Sequence, residues 1–331
     1  TPASEYASDA AVTAAASIRT DLAPYMTDLM TGDINTRRAI LDEHFYGPKI
    51  ETARSLYPVT QRVEEIAGVY TEVFEPAAGI AADKQNKVLI NLHGGGFSMG
   101  ARTEGRLESI PVAAVSGLRV ISIDYRQGPE HKFPAASEDV AAVYMHLLEQ
   151  YQAENIGIFG CSAGGMLTAQ AVAWFDKHEL PKPAAIGIFC SGAGEFGKGD
   201  AAIISDLVGS RLSGGEIEYF SDASWNDPLV SPQEDPQLLS RFPDTLVITS
   251  TRDLALSGAL VTHYRLLEQG VYSQLHVYEG LGHYFFADTE LKESKHVFDV
   301  ISKFFTERLG SNASKQAAVS FDQIDAEAFQ Q

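Results

Sequence analysis

The chain has 331 residues, 45% of them hydrophobic, and a formal net charge of −19 at pH 7. That length and apolar content suffice for one large core or two small ones. The acidic residues are scattered, which argues against nucleic acid and anionic membrane surfaces as partners, and no run approaches the roughly twenty apolar residues that span a bilayer.

In chain order, residues 1–60 carry helical patterns, such as 11–22 and 37–45, ahead of the first β-type run. Short β-type runs then recur at 68–74, 87–92, 119–124, 155–159, 185–190, 244–249 and 274–278. They are nearly continuous in apolar residues, as expected of strands covered on both faces in a mostly parallel sheet. Between them lie helical patterns. Val140, Val143, Tyr144, Leu147 and Leu148 follow the third run, and Leu260, Tyr264 and Leu267 follow the sixth, ending before Gly270 as a cap. Val297, Phe298, Ile301, Phe304 and Phe305 form the apolar face of a last helix. The expected class is α/β, with function at the carboxyl ends of the strands.

Two stretches fall outside this rhythm, and both are candidates for a cap over the site. One is the N-terminal helical part, 1–60; the other is 192–232, rich in Gly, Ser and Asp, with an apolar patch at Ile203, Ile204, Leu207 and Val208. The catalytic part then covers 61–310. The polar tail, 311–331, is expected to be loosely held, and its Asn312-Ala-Ser314 reads as ordinary polar tail rather than a glycosylation acceptor. No charged, apolar and cleavable leader precedes the first helix, so a cytoplasmic location is expected, with a leader removed before Thr1 as the alternative.

Two glycine-bearing segments carry the chemistry. His93-Gly94-Gly95-Gly96-Phe97 follows the 87–92 run, and Gly160-Cys161-Ser162-Ala163-Gly164 follows the 155–159 run. The first offers backbone N–H groups in a loop without side chains, as a developing oxyanion requires. The second places a serine at a sharp strand-to-helix turn, where only small flanking residues fit. A Gly-x-Ser-x-Gly match arises by chance in roughly one chain in ten of this length. Gly96-Phe97-Ser98-Met99-Gly100 is such a decoy. Context selects Ser162, which leaves a strand directly and enters a helical pattern, whereas Ser98 follows a triple glycine and runs into polar residues.

A serine hydroxyl needs a base, and the base needs an acid to fix its tautomer. Of nine histidines, His44, His146, His178, His263, His276 and His296 lie in helical or strand patterns. His93 and His131 precede the serine, and His93 reads as support for the glycine loop. His283 sits in a glycine-flanked loop after the 274–278 run and is the expected base. Asp253 follows the 244–249 run and is the expected acid, with Asp222 and Asp227 as rivals. The two cysteines, Cys161 and Cys190, read as buried small hydrophobes, with a disulfide open if their strands are neighbours. No spacing resembles a metal site or a phosphate-cradling loop, so no cofactor is expected.

These motifs resemble the hormone-sensitive lipase family of α/β hydrolases, the carboxylesterases with a His-Gly-Gly-Gly motif. The shared features are His93 to Phe97, Asp124-Tyr-Arg126, Pro129-Glu-His-Lys-Phe-Pro-Ala-Ala136, Gly160 to Gly165, Ser231-Pro232, Asp253 and Gly282-His283, within about 62–306. The chain departs at Cys161, where the family has an acid, at Gly128, where it has alanine, and around Asp253-Leu-Ala-Leu256. The resemblance implies an α/β-hydrolase fold with a small helical cap and oxyanion donors at the N–H groups of Gly95, Gly96 and Ala163. Asp124, Tyr125 and Arg126 become scaffold. The implied activity is hydrolysis of short- to medium-chain carboxylic esters through an acyl-enzyme, with a small-molecule substrate and a homodimer as the assembly to consider. Amide, lactone, carbamate or thioester hydrolysis is the alternative, followed by a non-catalytic small-molecule receptor on the same fold.

Overall fold

The computed structural model describes residues 3–207 and 217–310. The N-terminal helices are α1 (Asp9–Leu22), α2 (Met26–Thr31), α3 (Ile34–Leu41) and α4 (Gly47–Leu56), with a π-helical stretch, Asp42–Tyr46, between the last two. Then come β1 (Val59–Ile66), β2 (Val69–Pro76), β3 (Val88–Leu92), α5 (Glu104–Ser116), β4 (Arg119–Ile123), α6 (Ala135–Leu147), β5 (Ile156–Cys161) and α7 (Ala163–Lys177). The chain continues with β6 (Ala185–Phe189), α8 (Asp200–Leu207), α9 (Pro236–Leu239), β7 (Asp244–Arg252), α10 (Leu256–Glu268), β8 (Ser273–Gly282) and α11 (Lys292–Arg308).

The strands form one eight-stranded sheet in the order β1-β2-β4-β3-β5-β6-β7-β8. β2 pairs antiparallel with both β1 and β4, and β3 to β8 run parallel. The expected α/β sheet is therefore present. β3 lies between β4 and β5, so the chain reverses its direction of travel across the sheet there. The carboxyl ends of β3 and β5 adjoin at this switch point, where loops diverge and leave a crevice.

Side-chain alternation along the strands divides the core in two. Val88, Ile90, Leu92, Ile156 and Ile158 join Val140, Val143 and Tyr144 of α6 and Met166 and Leu167 of α7 on one face. Leu89, Phe159, Cys161, Leu246 and Ile248 join Leu107 and Ile110 of α5 and the α11 residues Val297, Phe298, Ile301, Phe304 and Phe305 on the other. Each large side chain buried in this way contributes about 1.5–3 kcal/mol.

One sequence expectation needs correction. β1 was absent from the expected strands because it is an edge strand, mostly half-buried or exposed, with no apolar run to reveal it. In α10, Leu260, Tyr264 and Leu267 face outward, and the buried face is Ala259, Thr262 and Leu266. Small residues let this helix lie close to the sheet, so the bulky ones are displaced to its rim. Gly270 does end the helix region with a positive φ of 73°, and its N–H and that of Val271 close on Leu267 and Leu266. Ile203 and Ile204 of α8 are exposed. Val208 and the 311–331 tail, with Asn312, lie outside the described residues.

Candidate active site

At the end of β5, Ser162 adopts φ 56° and ψ −121° and serves as the N-cap position of α7. That conformation is costly for a non-glycine residue and persists only where its surroundings dictate it. They do so here. The Ser162 N–H bonds to the Phe189 carbonyl at 2.8 Å. Gly160 and Gly164 press against the backbone of Leu92, where a Cβ on either would overlap the Leu92 carbonyl oxygen.

Asp253 follows β7 in the turn into α10, and His283 follows β8. His283 Nε2 lies 2.9 Å from Ser162 Oγ, and His283 Nδ1 lies 2.7 Å from Asp253 Oδ1. The carboxylate also accepts the Ala255 N–H on Oδ1 and the Thr249 hydroxyl on Oδ2, each at 2.9 Å. Ionised, it accepts a hydrogen bond from the Nδ1–H, which leaves Nε2 free to accept the serine hydroxyl. Burial disfavours the Asp253 anion, but the charge and hydrogen bond of His283 outweigh it and hold the pKa below its ordinary value. Burial likewise pulls the His283 pKa down, and the charge and hydrogen bond of Asp253, with the charge of Glu104, raise it above 6.5. The Asp253 side chain is fully buried and that of His283 is 25% exposed, so the imidazole keeps an open edge while the acid behind it is shielded from water.

The glycine loop leaves the end of β3 beside the nucleophile turn, where a Cβ on Gly94 would lie 2.9 Å from the Cys161 carbonyl oxygen. Gly95 and Gly96 have positive φ values of 89° and 63°. Among the described residues, the N–H groups of Gly95, Gly96 and Ala163 donate no backbone hydrogen bond. His93 supports the loop as expected: Nδ1 lies 2.8 Å from the Gly94 carbonyl, and the ring stacks on Tyr125 with 4.3 Å between centroids. The Tyr125 hydroxyl in turn donates to the His93 carbonyl at 2.6 Å. A hydroxyl, an imidazole and a carboxylate in line, beside unpaired N–H groups, can generate a nucleophilic oxygen and stabilise an oxyanion.

Comparison with known proteins agrees with this architecture. The family model for the alpha/beta hydrolase fold matches residues 89–287. The chain belongs to the α/β-hydrolase family. Over 197 residues it is 27% identical to an acetyl-hydrolase of Streptomyces hygroscopicus, covering 57% of this chain and 64% of that protein. Over 169 residues it is 32% identical to an acetyl esterase of Salmonella schwarzengrund, covering 47% and 48%. It thus spans between about half and two-thirds of these relatives. Among solved structures, esterase E25 is 33% identical, covers 93% of this chain and 97% of its own, and superposes with a TM-score of 0.79. An esterase of the bacterial hormone-sensitive lipase family, 24% identical and covering 81% and 92%, shares the fold at a TM-score of 0.72. These matches bear out the family resemblance drawn from the motifs.

In this α/β hydrolase the rival residues lie elsewhere. Asp222 pairs with Lys132 at 2.8 Å, and Asp227 accepts the Leu229 N–H. Ser98 sits in the turn that closes the glycine loop, its N–H on the Gly95 carbonyl and its own carbonyl on Arg38 Nε. Asp124 pairs with Arg102, and Arg126 with Asp139 and Glu138. β5 and β6 are neighbours, yet both cysteines are free thiols. Cys190 has φ 47°, which turns its side chain to the same buried cluster as Cys161. Among the described residues, Cys190, Asp253 and His283 also form a group of potential metal ligands, with ligand atoms within 4.8 Å of one another. The acid and the imidazole there are already hydrogen-bonded to each other. Gly128 is explained by the packing: a Cβ there would lie 3.2 Å from the Tyr219 nitrogen, and Tyr219 stacks on Phe97 of the glycine loop at 4.9 Å.

Sequence reasoning missed Thr249, Tyr46 and Glu104. Thr249 is the second residue type on the acid and lies inside an apolar run that hid it. Tyr46 and Glu104 come from segments read as N-terminal helix and polar loop, and only the fold brings them behind the glycine loop. Among the described residues, no helix is long and apolar enough to cross a membrane.

Proposed function

We propose that this hydrolase cleaves short- to medium-chain carboxylic esters through an acyl-enzyme on Ser162. The observation that carries the reading is the unbroken line from Asp253 Oδ1 through His283 to Ser162 Oγ, with spacings of 2.7 and 2.9 Å. His283 takes the Ser162 proton as the oxygen attacks the ester carbonyl. The resulting oxyanion is held by the N–H groups of Gly95, Gly96 and Ala163. Collapse breaks the carbon–oxygen bond to the alcohol, and His283 protonates that leaving group. Water, deprotonated by His283, then attacks the acyl-enzyme, and collapse releases the acid and regenerates Ser162. Asp253 keeps the imidazole oriented and stabilises its cation.

Relatives named acetyl-hydrolase and acetyl esterase support a short acyl group. The N-terminal helices and the 192–232 segment would form the cap that screens it: Arg38 of α3 already bonds the carbonyls of Ser98 and Gly128 at 2.7 and 2.9 Å. Oxyanion donors of this kind are each worth about 100–1,000-fold in rate. A homodimer is the assembly proposed, to be checked by sedimentation.

The test is turnover of p-nitrophenyl acetate, butyrate and octanoate. Ser162→Ala and His283→Ala should each lose at least about a thousandfold in kcat. A fluorophosphonate should label the wild type at Ser162. Full turnover in Ser162→Ala, or labelling that persists in that variant, defeats the assignment. A wild type that takes no label would point to the receptor alternative.

A further inference from the structure

Glu104 opens α5, yet its carboxylate turns inward and is only 2% exposed. It lies against both ends of the glycine loop. A Cβ on Gly94 would overlap Oε1, and one on Gly100 would come within 2.9 Å of Oε2. The Glu104 N–H bonds to the Gly100 carbonyl at 2.9 Å, so main chain and side chain fasten the same turn. Tyr46, itself buried, donates its hydroxyl to Oε2 at 2.7 Å from the π-helical stretch of the N-terminal segment. On the far side, Tyr284, the residue after His283, reaches the Glu104 carbonyl at 3.4 Å. One residue thus touches the loop that carries Gly95 and Gly96, the N-terminal helices and the neighbourhood of the histidine.

Buried carboxylates are expensive unless partnered, and such groups concentrate at functional sites. Surface chemistry cannot account for a glutamate here, because alanine or glutamine would continue the helix equally well. We propose that Glu104 is a positioning residue for the hydrolytic site: its carboxylate holds both ends of the glycine loop and supplies negative charge behind His283, with Tyr46 fixing its direction. The inference rests on the assignment of Ser162 and His283 as nucleophile and base.

Burial raises the Glu104 pKa to about 7, while the Tyr46 hydrogen bond and the charge of His283 oppose that rise. The charged and titratable groups around it are Tyr46, His283, Tyr284, Tyr125 and Cys161, with Glu108 one turn further along α5. Asp42 acts on Tyr46 from the same stretch. His283 faces Asp253 as an anion, and Glu104 as one in the fraction of molecules in which it is ionised, a fraction that grows as pH passes about 7. When His283 accepts the Ser162 proton with Glu104 ionised, the imidazolium meets two carboxylates instead of one. Removing the Glu104 charge makes that cation harder to form, so the acid limb of the rate profile must move to lower pH.

The experiment measures kcat and KM for p-nitrophenyl acetate from about pH 5 to 8 in wild type, Glu104→Gln, Tyr46→Phe and Ser162→Ala. Glu104→Gln should lower kcat roughly tenfold with KM within about twofold, and shift the acid limb down by several tenths of a pH unit. Tyr46→Phe keeps the glutamate but removes the donor that favours its anion, so its limb should move the same way by less. If Glu104→Gln does not fold, Tyr46→Phe decides alone. Acid limbs that coincide with the wild type overturn the proposal, even where the rate has fallen, because a merely structural glutamate would leave them in place. Retained turnover in Ser162→Ala instead overturns the underlying assignment, and the role of Glu104 with it.

Discussion

Asp253 carries its charge in a place where burial alone would protonate it, and three donors make the difference: His283 Nδ1, the Ala255 N–H and the Thr249 hydroxyl. The same pairing raises the His283 pKa above 6.5. In the proposed mechanism only the neutral imidazole accepts the serine proton, so kcat/KM should fall as pH drops through that raised value. In Asp253→Asn the anion that raises it is gone. The acid limb should then move to lower pH, while kcat drops by about ten-thousandfold, since an amide no longer fixes the Nδ1–H tautomer. Steady-state rates across pH check both. If the limb stays in place, the charge of Asp253 does not reach the base and the assignment of the acid is wrong.

The β5–α7 turn shows which elements reveal themselves in sequence. Gly160 and Gly164 are small because the Leu92 carbonyl of β3 occupies the space of their side chains. The obstacle is backbone hydrogen-bonded within the sheet, and no rotamer change can relieve it. Gly164→Ala should therefore destabilise the protein by about 3–5 kcal/mol and abolish turnover, readable from urea denaturation and p-nitrophenyl acetate assays. A variant within about 0.5 kcal/mol of wild type would mean the turn yields more than its packing implies. Constraints of this kind write themselves into local residue patterns, so Ser162, the glycine loop and the loop of His283 are legible in the order of residues alone. β1 is not, because an edge strand with one neighbour needs no apolar run. Nor is the buried face of α10, where Ala259 and Thr262 allow close approach and the larger residues face outward. Glu104 and Tyr46 are 58 positions apart, and neither carries a local mark of their meeting.

At the scale of the molecule, the sheet order brings loops from the ends of β3, β5, β7 and β8 to one side, and α5 crosses behind them. That helix brings a second acid, Glu108, into the same interior. It is 2% exposed, Oε2 accepts the Asn91 amide at 2.8 Å, and Oε1 has no partner among the described residues. Burial, and then the nearby Glu104 charge, raise its pKa well above 4.5. A carboxyl whose pKa is higher folded than unfolded favours the native state while both forms are protonated, below about the ordinary value, and loses that contribution as pH rises through the folded value. Net charge of −19 adds self-repulsion over the same range, so wild-type behaviour alone would not isolate Glu108. The difference between Glu108→Gln and wild type does isolate it, because both share the remaining charges. The variant should melt a few degrees above wild type at about pH 8, and the gap should close toward pH 5, where the glutamate is already neutral. Calorimetry at several pH values reads this directly. A gap that is constant with pH would mean that Glu108 titrates alike in the folded and unfolded chains, so that burial does not raise its pKa.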